Sequence, residues 1–256
     1  MKRIRYNMLI ILALLMAGSC KKKLDNYPGP TETLKGSIMD MGTGKNVQSE
    51  VSGDNGKGTR IKLLETSWSS NPTPLYLAGK QDGTYENTKV FAATYKMTAE
   101  GAFVPLVQTN TAGEVTVDQS QTVDVKGGTT TVNFNVEPFL EVEWVGEPVI
   151  NSDGSITAQA KLTRGTTDAD FQQDVTDLWL YVSPTEYVGD NNYDARYAQH
   201  ITYSGTDGDA ILGTTVTLTT KGGALPKKDY YLRLGARINY GLKQYNYSEP
   251  KVVTIP

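Results

Sequence analysis

The chain has 256 residues, with 25 basic and 28 acidic side chains and a formal net charge of −3. That length suits two domains of roughly 100–150 residues rather than one small sandwich. Hydrophobic residues at 38% and charged residues at 21% exclude a disordered or fibrous chain. One cysteine excludes a disulfide framework and a zinc site of cysteine ligands, and one histidine excludes any centre that needs two. The 31 threonines, and 15 tyrosines against 5 phenylalanines, suit half-buried strands and point to an all-β chain.

Residues 1–19 read as a signal peptide. Lys2, Arg3 and Arg5 precede an apolar run of 10 residues, 8–17, which is well short of the ~20 needed to cross a bilayer. The run ends in Ala17-Gly18-Ser19-Cys20, similar to a bacterial lipobox, with Ala17 where an aliphatic residue is usual. Cys20 is therefore the expected lipidation site, and an anchor of a diacylglyceryl and an N-acyl group holds stably to a membrane. An ordinary secretory signal with an incidental cysteine is the alternative. Cleavage removes three of the 25 basic residues, leaving 22 against 28 acidic ones, a net of −6. No basic stripe is left for nucleic acid. Lys21 to Lys23 sit beside the anchor, at the level of lipid headgroups.

Residues 20–32, with Pro28-Gly29-Pro30, read as the acylated cysteine and a tether. Strands are expected at 34–40 and 59–67, then over 90–97. Val115 and Val117, Val123 and Val125, and Val132, Phe134 and Val136 each alternate with polar residues, the period of half-buried strands. Pro138 marks the boundary between a domain at 33–137 and another at 138–256. In the second, Leu140, Val142 and Trp144 alternate with glutamates, and Ile156 to Leu162 alternates likewise. Leu178, Leu180 and Val182 face one way, Trp179 and Tyr181 the other. Tyr230, Leu232, Leu234, Ala236 and Ile238 alternate most clearly, and Val253 and Ile255 close the chain. The spacing predicts tandem β-sandwiches with only a turn or two of helix, at 167–175 and 192–200. The stretch 184–213 reads as an insertion, too long for a plain sandwich connection.

The run Pro226-Lys227-Lys228-Asp229-Tyr230, with Leu232, Leu234 and Ala236, resembles the tyrosine-corner motif of fibronectin type III domains. That resemblance implies a buried Tyr230 ring whose hydroxyl bonds backbone. Leu34 to Ile38 with Thr43-Gly44-Lys45, and Asp82-Gly83-Thr84-Tyr85, resemble the carboxypeptidase-regulatory-like, prealbumin-type sandwich. Stretches at 24–27, 81–89, 125–129, 187–197 and 212–216 resemble an uncharacterised family of two-domain Bacteroidetes surface lipoproteins. Such proteins are similar to accessory members of starch-utilisation-type loci. The resemblance implies an outer-membrane, lipid-anchored protein, on the cell surface or facing the periplasm. Its expected partners are a polysaccharide, a TonB-dependent transporter and that transporter's glycan-binding lipoprotein.

No catalytic constellation is found. His200 has no serine or aspartate at a recognised spacing, and no Gly-x-Ser-x-Gly elbow or Walker loop exists. Glu141 and Glu143 alternate out of a strand, as a solvated face does. Asp168 with Asp170, and Asp207 with Asp209, read as acidic turns outside any calcium loop. No catalytic residue, metal ligand or cofactor is therefore expected, and the chain is read as a non-enzyme. Aromatic rings beside polar groups suit the C–H faces and hydroxyls of sugars. The candidates are Trp68, then Tyr187, Tyr193, Arg196 and Tyr197 in the insertion, and Tyr240 and Tyr245 near the last hairpin. The same rings could instead cap the core or brace the domain contact. Two functions stay open: an accessory glycan-binding or uptake-complex lipoprotein, and a structural or adhesive spacer.

Overall fold

A computed structural model describes residues 28–50 and 56–256. The signal peptide, Cys20 and Lys21 to Lys23 lie outside the described residues. Thr31–Pro256 form one compact unit. Its regular secondary structure is almost wholly strand, with two short 3-10 turns, Ala169–Phe171 and Gly205–Ile211, among the described residues. No helix among them is long and apolar enough to cross a membrane.

The first sandwich contains β1 (Glu32–Asp40), β2 (Arg60–Glu65), β3 (Leu75–Ala78), β4 (Thr84–Val90), β5 (Ala93–Glu100), β6 (Val107–Thr109), β7 (Val115–Asp118), β8 (Gln121–Val125), β9 (Thr129–Thr131) and β10 (Phe134–Val136). One sheet has β1 between β4, antiparallel, and β9 with β10, parallel. The other runs β3-β2-β5-β8, and β6 and β7 form a separate hairpin. Alternation does the work: Ile61, Leu63, Met97 and Ala99 meet Leu34, Ile38, Tyr85 and Phe134 in one core, each such side chain worth roughly 1.5–3 kcal/mol of burial. Gly36 is required here, because a Cβ would lie 1.7 Å from the Val132 carbonyl oxygen.

The second sandwich contains β11 (Leu140–Trp144), β12 (Val149–Ile150), β13 (Ile156–Arg164), β14 (Val175–Ser183), β15 (Gln199–Thr202), β16 (Thr215–Thr219), β17 (Asp229–Ile238), β18 (Asn246–Tyr247) and β19 (Lys251–Thr254). In one sheet β13 lies between β11 with β12 and β16; the other runs β15-β14-β17, with β18 and β19 on the far side of β17. Tyr230, Leu232, Leu234, Ala236 and Ile238 are all buried in the core between the sheets.

Several expectations need correction. The stretch 90–97 is broken at Phe91 and Ala92, so β4 and β5 are separate strands. The insertion makes a single turn within 192–200, where the Tyr197 and Ala198 N–H groups donate to Asp194 O at 3.1 and 3.0 Å, and then supplies edge strand β15, paired with Asp177 to Leu180. Tyr230 is buried, but its hydroxyl bonds no backbone among the described residues; Tyr197 packs on its ring at 6.1 Å and Lys228 lies over it at 5.0 Å. The buried tyrosine-to-backbone bond sits in the first sandwich, where the Tyr85 hydroxyl donates to Val132 O at 2.6 Å.

Candidate functional site

Trp179 and Tyr181 of β14 point away from the second core and form a further buried cluster with Val188, Tyr245 and Tyr247. Gly235 of β17 admits it, since a Cβ there would meet the Tyr181 and Tyr247 rings at 2.8 and 2.9 Å. The insertion packs on this outer face, and the first sandwich meets it through Ser49, Glu50 and Gln81. Arg233, on the same face, is fully buried. Its guanidinium donates to the carbonyls of Ser248 at 2.9 Å, Ser49 at 2.8 Å, Val188 at 3.1 Å and Gln81 at 3.3 Å, and it lies 4.3 Å from the Tyr247 ring centroid. Burial lowers its pKa to about 10, still cationic at neutral pH. The Tyr247 hydroxyl donates to the Glu50 carboxylate, which also accepts the Asp190 N–H at 2.6 Å.

The insertion is pinned by the same contacts. Gly189 and Asn192 exchange backbone hydrogen bonds at 3.1 and 3.2 Å, closing a reverse turn. Asn192 Nδ2 donates to the Tyr187 carbonyl and to Thr185 Oγ1. Gln81 bridges across the junction: its Nε2 donates to Glu186 O at 3.0 Å and its Oε1 accepts from Val188 N at 3.1 Å. Lys57 and Asp190 pair at 2.7 Å. A fixed loop therefore presents Tyr187 with 55% of its surface exposed.

Tyr187 lines an open groove of about 1350 Å³ along the junction. Tyr231 and Val252 add apolar surface; Asn46, Lys80, Asp82 and Glu86 add donors and acceptors. A neighbouring polar cavity of about 400 Å³ shares Asn46, Gln48 and Glu249 with it and holds Glu141 and Trp144. Burial, then the charge and hydrogen bond of Asp40, push the Glu141 carboxyl up to about 7. Asp40 itself accepts from Gly42 N at 2.7 Å and Thr43 N at 3.1 Å.

The candidate aromatics do not converge. Only Tyr187 reaches the groove. Trp68 is exposed in the loop after β2, 6.5 Å from the Phe91 ring. Tyr193 packs on Trp179 and Tyr181, each at 5.3 Å. Arg196 pairs with Asp194 at 2.7 Å over the Tyr197 ring. Tyr197 and Tyr245 are buried, at 8% and 7% exposure, which removes their faces from any sugar. Tyr240 is wedged between Phe139 and Phe171, both at 5.2 Å. Tyr193, Tyr197 and Tyr245 thus brace the fold, the alternative the sequence left open. Tyr231, Gln81 and Arg233 were missed; parity along β17 places Tyr231 and Arg233 on the outer face, and only the insertion and the first sandwich give that face a role. Glu141 is half-buried beside Asp40 and not on a solvated face.

The remaining motifs have structural partners. His200 stacks on Trp179 at 3.9 Å with Nε2 2.6 Å from Asp177, which also binds Arg237 at 2.7 Å. Asp168 accepts from Asp170 N, capping a 3-10 turn, and Asp209 binds Arg164 at 2.9 Å. Among the described residues no group of three acidic, histidine or cysteine side chains could hold a metal ion.

Two family models match the chain: the N-terminal domain of a protein of unknown function, DUF3823, over residues 32–136, and the domain of unknown function DUF3823_C over 145–252. A DUF3823 family protein from Bacteroides uniformis is 36% identical, covers 89% of this chain and 100% of its own, and superposes with a TM-score of 0.81. A "putative carbohydrate binding protein" from the same species is 25% identical, with coverage of 89% and 100% and a TM-score of 0.65. A DUF3823 family protein from Parabacteroides merdae, 22% identical with coverage of 89% and 100%, shares the fold at a TM-score of 0.63. No curated protein matches the chain.

Proposed function

The chain belongs to the DUF3823 family, and from that premise we propose that it is a non-enzymatic, lipid-anchored outer-membrane protein that binds glycan in the junction groove. The observation that carries this reading is the exposed Tyr187 ring, held on a pinned loop above a groove lined with amides, carboxylates and two ammonium groups. A ring face fixed beside convergent polar groups is what a sugar site requires, and rigid scaffolds place recognition on such loops. The relative described as carbohydrate binding, with the same two-domain span, supports the ligand class. The lipobox-like end at Cys20 and the resemblance to starch-utilisation-type accessory proteins support the setting, beside a TonB-dependent transporter and its glycan-binding lipoprotein.

A structural spacer is the second reading, favoured by the buried Arg233, whose hydrogen bonds to the Ser49 and Gln81 carbonyls tie the second sandwich to the first. A glycan array followed by affinity electrophoresis on the purified protein separates the two. The glycan reading expects retarded migration in at least one polysaccharide gel. Free migration in every gel, with no array signal, contradicts it and leaves the spacer.

A further inference from the structure

A third cavity, of about 390 Å³, shares no lining residue with the junction groove. Its walls come from the outward faces of β2 and β5, the segment before β6, and the loop after β17. Leu64, Leu106, Tyr240 and Leu242 give it an apolar body. The size falls within the roughly 300–1,000 Å³ of small-molecule pockets.

The polar lining is asymmetric. Arg60 is neutralised by Glu100 at 2.8 Å, and Lys96 by Asp118 at 2.7 Å. Lys62 also lines the cavity and has no ion-pair partner among the described residues. Directly across the β2–β5 ladder from Lys62 stands Thr98, so both side chains share one face. The Thr98 hydroxyl is buried and makes no hydrogen bond among the described residues. Native structures seldom leave a buried polar atom unpaired, and a ligand acceptor is one remedy. Lys62 and Thr98 together thus offer one cation and one free hydroxyl beside apolar walls.

We propose that this cavity binds a small amphipathic monoanion: a compact ring system or short alkyl chain bearing one carboxylate or sulfonate, with the anion at Lys62 and Thr98. The test uses 1-anilinonaphthalene-8-sulfonate as probe, neutral N-phenyl-1-naphthylamine as its uncharged counterpart, and octanoate as competitor, read by fluorescence on the purified protein. One sulfonate probe per chain is expected, displaced by octanoate. Lys62→Met should weaken the sulfonate about tenfold, the scale of one charged hydrogen bond, and leave the neutral probe unchanged. Leu242 is 70% exposed, so Leu242→Asp keeps the fold and should weaken both probes. Absence of saturable binding overturns the proposal. So does sulfonate binding that Lys62→Met and Leu242→Asp leave at the wild-type affinity.

Discussion

Arg233 brings a charge into the junction with no ion pair among the described residues; four backbone carbonyls, the Gln48 amide oxygen and the Tyr247 ring solvate it. Arg233→Met strands those carbonyls, and the expected loss is roughly 3–5 kcal/mol in urea denaturation. Arg233→Lys should not rescue it, because an ammonium lacks the planar fork that reaches both sandwiches; near-wild-type stability of either variant would contradict the lock. Glu141 makes a second residue-scale prediction. Its folded pKa, about 7, stands above the ordinary carboxyl value of 4.5. Between those values the folded state keeps a proton that the unfolded chain has released, so stability falls as pH rises through the window and is level below it. Glu141→Gln keeps the donor to Asp40 and removes the titration. Its stability should vary less than wild type between pH 4.5 and 7, as measured by denaturation at fixed pH steps; an identical pH profile would contradict the carboxyl pair.

Strands with one face in a core were legible from residue types alone, because period-two alternation leaves little choice of face. β1, β2, β13 and β17 fall where the pattern sets them, and Leu178 and Trp179 face apart as read. The short edge strands β3, β6 and β15 were not legible: they bury few side chains, so no alternation marks them. The tyrosine-corner motif at Tyr230 located a buried ring correctly and its hydrogen bond wrongly, since the hydroxyl emerges beside Tyr197, Asp194 and Arg196. The structural hydroxyl is that of Tyr85, which ties β4 to the Val132 carbonyl where β9 hands over to β10. Tyr85→Phe should therefore cost about 1–2 kcal/mol, whereas Tyr230→Phe should cost under about 0.5 kcal/mol. Equal costs, or the reverse order, would contradict this assignment. Gly36→Ala should be worse than either, for its methyl falls onto the same carbonyl.

At the scale of the molecule, the two sandwiches are joined by buried polar contacts at Arg233, Glu50 and Gln81, and those contacts decide which aromatics are free to bind. The sequence shows Tyr187, Tyr193 and Tyr197 as one cluster; the fold sends Tyr197 under β17, Tyr193 onto Trp179, and Tyr187 outward. No spacing rule separates them, since the separation follows from Gln81, Glu50 and Arg233 in distant parts of the chain gripping the loop between them. The division of labour is directly testable by isothermal titration with a glycan identified by the array, set beside thermal unfolding. Tyr187→Ala should lower affinity at least tenfold and leave the melting temperature within about 2 °C of wild type, because its ring is exposed. Tyr197→Ala should lower the melting temperature by several degrees, the scale of a core aromatic truncation, and leave affinity unchanged below that transition. Unchanged affinity in Tyr187→Ala, or lost affinity in a folded Tyr197→Ala, would contradict the account.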